Sequence, residues 1–219
     1  MYNTIVNTIG TIDDLIENTY KYLLKFQELL QIEFQYYSSK IYSFIRLDNL
    51  ITRTGKPYKN KEWYGSDVID LSTMKNGEIF INDFSKGEDF TTNIKSINNL
   101  DLVYGSIRPY FKKAGFALEV NYIAGSVYSF NSNKTIDYLW ILACITSSKF
   151  HDYTSANSQG TKMPIINWDT FVEYNCPYDK EMIEKFNNKM HPLFKLAIYK
   201  SKQLRKLKVI KQSLLSKYF

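Results

Sequence analysis

The chain has little cysteine: two in 219 residues, Cys144 and Cys176, without metal-ligand spacing. That excludes a disulfide framework and a thiolate metal knuckle, and predicts two reduced thiols in a cytoplasmic protein. No apolar run approaches the roughly 18 residues of a membrane span, so no membrane partner is expected. The N-terminus lacks a basic segment followed by an apolar core, so no secretory signal is expected. Gly-x-Gly is absent, as are the phosphate-binding Gly-x-x-x-x-Gly-Lys-Ser/Thr loop and the Gly-x-Ser-x-Gly nucleophile elbow. A nuclease Pro-Asp followed by Glu-x-Lys does not occur either. The two histidines, His151 and His191, have no nucleophile or metal partner nearby in sequence. His191 reads as a helix-cap residue and His151 as following a helix end, where a cation suits the dipole. Asp67, Asp70 and Asp83 read as turn and strand-edge residues rather than a catalytic carboxylate cluster. Asn175-Cys176-Pro177-Tyr178 differs by one residue from the Asn-Pro-Pro-Tyr box of adenine methyltransferases. Without an upstream glycine-rich turn to hold a methyl donor, that reading is rejected. Nothing on this chain predicts catalysis, a metal or a bound cofactor.

What is present is apolar and aromatic. Hydrophobic residues make up 44% and aromatics 16%, enough to bury a core and to exclude disorder. The net charge of +6 is unevenly spread. Residues 1–39 carry five acids and two bases, residues 185–219 ten bases and no acid, and residues 40–184 sixteen bases against seventeen acids. If the centre meets an anionic partner, tertiary structure must gather its cations on one face.

The first 38 residues place Ile5, Ile9, Ile12, Ile16, Leu23, Phe26 and Leu30 at alternating steps of four and three, with Thr19 in the gap. This heptad seam predicts one helix over about 11–38, its start marked by a capping-box pattern at Thr11-Ile12-Asp13-Asp14. Ile183, Phe186, Met190, Leu193, Ala197, Leu204, Leu207 and Leu214 repeat the alternation at the other end. Pro192 falls inside that pattern and predicts a short helix near 180–190 followed by a long one from 192 to about 217. One seam is acidic and the other basic, so they read as mates for each other, within a chain or between copies. They also suit the simpler role of covering the core of the middle domain.

Residues 45–175 hold eight of the nine glycines and three of the five prolines, between short apolar runs at 68–71, 78–81, 102–104, 114–118 and 125–130 that read as strands. Residues 136–150 read as one helix. The predicted fold class is α+β: a mixed domain over 45–178, flanked by helical segments 1–44 and 179–219 that pair as an antiparallel coiled coil.

Three segments of the middle domain carry chemistry suited to a phosphate backbone and base edges. The first holds Arg53, Thr54, Lys56, Tyr58, Lys59 and Lys61 around Gly55 and Pro57, a turn able to offer cations and backbone N–H groups to phosphate. The second holds Ser106, Arg108, Tyr110, Lys112 and Lys113, with an arginine fork suited to guanine and lysines suited to phosphate. The third holds Asn157, Ser158, Gln159, Gly160, Thr161 and Lys162, small and polar, with amides that pair with adenine.

These blocks resemble, in order, those of type I restriction–modification specificity subunits. Ile9 to Asn18 is similar to the start of that family's conserved central helix, and Leu102 to Gly115 to the strand–loop of its target-recognition domain. Ser158-Gln159-Gly160-Thr161-Lys162-Met163-Pro164 through Trp168 is similar to the domain's closing segment. His191-Pro192-Leu193-Phe194, Leu204 to Leu207 and Leu214-Leu215 resemble the second conserved helix. A full member has two recognition domains; this chain has one, and carries Tyr174-Asn175-Cys176-Pro177 where the family has Leu-Pro-x-Pro. The resemblance implies a non-catalytic reader of double-stranded DNA. Its partners would be modification subunits that use S-adenosylmethionine to methylate adenine, and a restriction subunit that uses ATP with Mg²⁺. A half-length member is expected to form a homodimer through its helices and to read inverted half-sites. The competing reading is a coiled-coil decoy that binds restriction–modification subunits without reading DNA, motivated by the neutral middle domain.

Overall fold

A computed structural model describes residues 2–57 and 61–218. Two long helices bracket the chain, α1 (Tyr2–Ser38) and α5 (Lys180–Tyr218). Each spans about 55–60 Å at 1.5 Å per residue. They run antiparallel against each other. Tyr37 meets Phe186 with ring centroids 6.2 Å apart, the Lys189 ammonium lies 2.6 Å from the Glu33 carboxylate, Phe26 stacks on Phe194 at 6.0 Å, and Lys211 pairs with Asp13 at 2.5 Å. The acidic and basic seams are thus mates within one chain.

Both helices differ from the sequence expectation in extent. Thr11 does not cap α1; it lies inside the helix and its hydroxyl donates to the Asn7 carbonyl at 3.0 Å. The heptad pattern, which begins at Ile5, outweighs the local capping signal. Pro192 and His191 are interior to α5, which runs unbroken. Pro192 and Asn188 are exposed, so water can serve the carbonyl that loses its intrahelical donor, and the packed faces on either side hold the helix together. The buried stripe of α5 follows Ile183, Phe186, Met190, Phe194, Ala197, Ser201 and Leu204, while Leu193, Leu207 and Leu214 are half-buried. Phe194 turns inward in place of Leu193 because its ring fills the space between Phe26, Phe116 and Tyr138. On α1, Ile12, Leu23, Phe26 and Leu30 are buried and Ile16 half-buried.

The seams also cover the domain. Helix α2 (Tyr138–Ile145) is apolar all round and buried from Leu139 to Ile145, as a helix enclosed by protein must be. Its Trp140 ring packs on Phe34 of α1 at 4.6 Å and on Phe186 of α5 at 5.2 Å, while its indole N–H donates to the Pro177 carbonyl at 2.8 Å. The single helix expected over 136–150 is two: α2 ends where the Thr146 hydroxyl donates back to Leu142 and the Ser147 hydroxyl to Cys144, each at 2.7 Å. Ser147 then caps α3 (Ser148–Ala156).

Three sheets complete the described chain. β1 (Phe44–Arg46) and β11 (Asn175–Pro177) form an antiparallel ribbon. The Asn-Cys-Pro stretch is therefore a paired strand. Its Cys176 thiol lies 3.3 Å from that of Cys144, both buried, and burial pushes the Cys144 thiol up. A four-stranded antiparallel sheet has the order β2 (Ile51–Arg53), β10 (Val127–Ser132), β7 (Leu102–Gly105), β8 (Ala114–Phe116). A five-stranded sheet has the order β3 (Lys56–Pro57), β6 (Ile94–Ser96), β9 (Tyr122–Ala124), β4 (Asp67–Ile69), β5 (Ser85–Lys86), with β4 and β9 parallel. Residues 78–81, expected as a strand, make one bridge, Phe80 to Phe116. The Gln27 side chain of α1 takes the ladder's place: its carbonyl accepts from the Ile79 N–H at 2.9 Å and its amide donates to the Gly77 carbonyl. Among the described residues, no helix is long and apolar enough to cross a membrane.

Because Leu30 is fully buried and Val209 is 62% exposed, Leu30→Ala is expected to lower unfolding free energy by about 2–5 kcal/mol and Val209→Ala by under about 0.5 kcal/mol. Urea unfolding followed by far-ultraviolet circular dichroism checks this, and equal effects would contradict the seam described.

Candidate nucleic-acid interface

Strands β2 and β7 both run antiparallel to β10. Arg53 of β2 pairs with Phe130, and Gly105 of β7 with Val127. Their C-terminal ends therefore leave the sheet at the same edge, where β10 begins. This register delivers the first and second cationic segments to one place.

The third segment is zipped onto the second. The Arg108 N–H donates to the Pro164 carbonyl at 2.7 Å, the Ile166 N–H to the Ser106 carbonyl at 3.0 Å, and Gln159 and Ile165 exchange backbone hydrogen bonds at 2.9 and 2.8 Å. Gly160, at φ +104°, lets the chain turn between them. Thr161, Lys162 and Met163 form the exposed tip.

The second segment is held stiffly. The Gly105 N–H donates to the Lys113 carbonyl at 2.8 Å, closing the loop, and the Ser106 hydroxyl donates to the Ser126 carbonyl at 2.8 Å. Arg108 and Lys112 take left-handed conformations, φ +51° and +55°, on either side of the Pro109–Phe111 turn. Such conformations cost energy in non-glycine residues and persist only where surroundings impose them. Tyr110 is exposed, its ring 4.8 Å from Phe111.

The first segment divides. Arg53 lies on the shared edge, its guanidinium 4.8 Å from the Trp168 ring and 5.4 Å from the Tyr128 ring. The Thr54 N–H donates to the Ser129 carbonyl at 2.9 Å. Lys56 sits exposed on β3, in the other sheet, and the Lys61 ammonium lies 5.4 Å from the Tyr64 ring. Tyr58 and Lys59 lie outside the described residues. Lys113 is half-buried with its ammonium on the Leu71 carbonyl, and the Asn157 amide donates back to Tyr153 at 2.8 Å while the Ser158 hydroxyl donates to Ser155 at 2.8 Å. The edge thus gathers Arg53, Ser106, Arg108, Gln159 and the 160–164 tip, leaves Lys56 exposed on the other sheet, and leaves Lys61 and Lys113 with other partners.

Aromatic residues form its floor. The Tyr128 hydroxyl donates to the Ile166 carbonyl at 2.7 Å. Trp168 opens the short helix α4 (Trp168–Val172), whose N-cap Asn167 accepts from the Thr170 N–H at 2.8 Å. Behind the second segment, the Tyr104 hydroxyl lies 2.7 Å from the Thr154 hydroxyl and 3.2 Å from Nδ1 of His151. The Thr154 hydroxyl also lies 3.1 Å from the His151 carbonyl, so the three side chains form one buried polar group. His151 lies inside α3, buried, and not after a helix end. Burial, with a smaller contribution from Lys112, pushes its pKa down to about 4, so the ring is neutral.

Sequence reasoning missed Lys95, Tyr128, Trp168 and the Tyr104–His151–Thr154 group. Trp168 stands beside the Ser-Gln-Gly-Thr-Lys block, but spacing gave it no role. Lys95 on β6 carries no sequence signal at all.

Asp67 pairs with Lys86 at 2.8 Å, Asp70 accepts from the Ser72 and Thr73 N–H groups, and Asp83 pairs with Lys75 and Lys208. Among the described residues no group of three or more His, Cys, Asp or Glu could hold a metal ion.

A mixed α+β domain on an antiparallel helix pair, with loops gathered at one sheet edge, has counterparts among solved structures. The S subunit of a type I restriction–modification system from M. genitalium superposes with a TM-score of 0.62 at 16% identity, over 99% of this chain and 60% of that one. The HsdS subunit from Thermoanaerobacter tengcongensis gives 0.50 at 12% identity, over 98% and 57%. The chain has the fold of these specificity subunits and spans about 60% of the length of the two. No family model and no curated protein matches it.

The neutral His151 ring has a pH signature. The unfolded chain binds its proton near pH 6.5 and the folded one only near pH 4. Stability from this group is complete above pH 6.5 and is lost as pH falls, by about 1.4 kcal/mol per pH unit until about pH 4. In denaturant titrations from about pH 7 to about pH 5, wild type should lose about 2 kcal/mol more than His151→Gln. Parallel curves would contradict a neutral buried ring.

Proposed function

We propose that this chain reads a DNA sequence as the specificity subunit of a type I restriction–modification complex. The observation that carries the reading is the convergence of three sequence-distant segments, with Arg53, Arg108, Gln159 and Lys162, on the edge where β10 begins. Arginine forks and amides there suit base edges in the major groove, and the cations suit phosphate. Such a module reads few base pairs, each worth about 1–3 kcal/mol of discrimination. The S-subunit fold supports placing the paired helices as the strut that fixes the module's position along the duplex.

In this reading the chain contributes recognition and no chemistry. Modification subunits bring S-adenosylmethionine and methylate adenine, and a restriction subunit brings ATP with Mg²⁺ and cleaves. A homodimer supplies the second half-site. Val6 and Leu15 of α1 and Val209 and Ile210 of α5 are exposed at the far end of the helix pair, where a second copy would cover them. The decoy alternative drew on the neutral middle domain; the placing of Arg53, Arg108 and Lys162 along one edge supports the DNA-reading assignment instead.

Co-expression with a modification subunit, followed by methylation mapping of the host DNA, tests the assignment. The expected outcome is N6-methyladenine at one sequence of two inverted half-sites around a spacer, lost with this gene. Methylation of no sequence would overturn the assignment, and an asymmetric site would overturn the homodimer alone.

A further inference from the structure

The like charges of Arg53 and Lys95 lie close together at the edge of the interface. Arg53 is exposed and braced against Trp168 and Tyr128. Lys95, half-buried on β6, has its stem beside the Gly55 turn; a side chain built at Gly55 would meet Lys95 Cδ at 3.5 Å. The Lys95 ammonium donates to the Gly125 carbonyl at 3.1 Å. Burial first, and then the charge of Arg53, push the Lys95 pKa down, so the two cations feel each other.

Among the described residues neither cation forms an ion pair. Asp169, next to Trp168, pairs with neither of them. On α5, by contrast, Lys189, Lys202, Lys208 and Lys211, which face α1 or the domain, have carboxylate partners. The same turn carries two buried hydroxyls without partners, Thr54 Oγ1 and Ser129 Oγ, and the Nε of Arg108, also buried and unpartnered, lies further along the edge. Ser129 is only 2% exposed, and its hydroxyl faces Gly55, whose φ of +80° keeps that turn free of a side chain. The place is rich in donors and positive charge, and no carboxylate pairs with either cation.

We infer that Arg53 and Lys95 together clamp one phosphate of the DNA backbone, an anchor that sets position without reading sequence. The inference rests on the DNA-reading assignment above and narrows what this part of the edge does. A guanine edge would satisfy the arginine fork, but it is neutral and would leave the second cation without an offsetting charge. A phosphodiester carries the charge and two free oxygens, one for the planar fork and one for the ammonium. The aromatic brace holds the guanidinium in place before binding, so little side-chain freedom is lost on contact.

The test uses the full chain, a mixed-sequence duplex followed by fluorescence anisotropy across a salt series, and selection from a randomised duplex pool. Arg53→Gln with Lys95→Met should bind every sequence more weakly by a similar factor. It should also lower the slope of log affinity against log salt by about 0.9, the value for one phosphate no longer neutralised. The preferred sequence should not change, and Lys95→Arg should keep the wild-type slope. If the double variant does not fold, Arg53→Gln alone, at an exposed position, gives the same reading. An unchanged slope, or a changed sequence preference, overturns the clamp while leaving the assignment standing. Absence of duplex binding by the wild type overturns both.

Discussion

Burial of the apolar stripes of α1 and α5 is the constraint from which the rest of the architecture follows. Phe26 and Phe194 meet between the helices, and both reach inward, Phe26 to Phe80 at 5.9 Å and Phe194 to Phe116 at 5.5 Å. The pair and the domain therefore share one apolar core, joined again by Trp140 of α2. Helices of this length gain most of their stability from such packing and little from their own hydrogen bonds. Since the two ends of the chain supply these helices, closing the seam also closes the domain between them. Ion pairs finish the attachment: Lys208 holds Asp83 at 2.8 Å and Lys202 holds Glu119 at 2.7 Å. The domain is fixed on the helix pair at several points.

Charge follows a second rule across the molecule. Of the bases in 185–219, Lys189 and Lys211 pair with carboxylates of α1, and Lys202, Arg205 and Lys208 with carboxylates of the domain. Arg53, Arg108 and Lys162, on the edge where β2 and β7 end, form no ion pair among the described residues. Antiparallel pairing on both sides of β10 obliges those two strands to finish together, and the exchange of hydrogen bonds between 106–108 and 159–166 adds the third segment. A net count over the middle domain is close to zero and conceals this, because net charge says nothing about where charges sit.

The departures from sequence reading each have a local cause. Pro192 stays inside α5 because its neighbours on the packed face hold the helix and its own face is wet. Residues 136–150 break in two because Thr146 and Ser147 divert carbonyls that the helix would have used. Residues 78–81 have the composition of a strand, but Gln27 arrives from α1 to take their backbone groups. At Pro192 and at 78–81 local propensity competes with partners distant in sequence, which no window of neighbouring residues contains, whereas the break at Thr146 and Ser147 is made by carbonyls three and four residues back. The three candidate segments were legible as composition, since Gly, Pro, Arg and small polar residues cluster at 52–61, 105–113 and 157–164. Lys95 and Tyr128 were not, because each has ordinary neighbours and acquires its place from sheet register.

Sequence by itself determined that two amphipathic helices enclose a mixed α+β domain, since apolar residues repeating every 3.5 positions over several turns have few other ways to leave water. It also determined which stretches carry cations and turn chemistry. Tertiary structure alone decided that the seams pair within one chain, that Arg53, Arg108 and Gln159 share an edge, and that Arg53 and Lys95 have no carboxylate partner while Lys189, Lys202, Lys208 and Lys211 of α5 do. The physical reason is that periodicity is a property of neighbours along the chain, whereas charge compensation and convergence depend on distances that exist only once the strands have found their register.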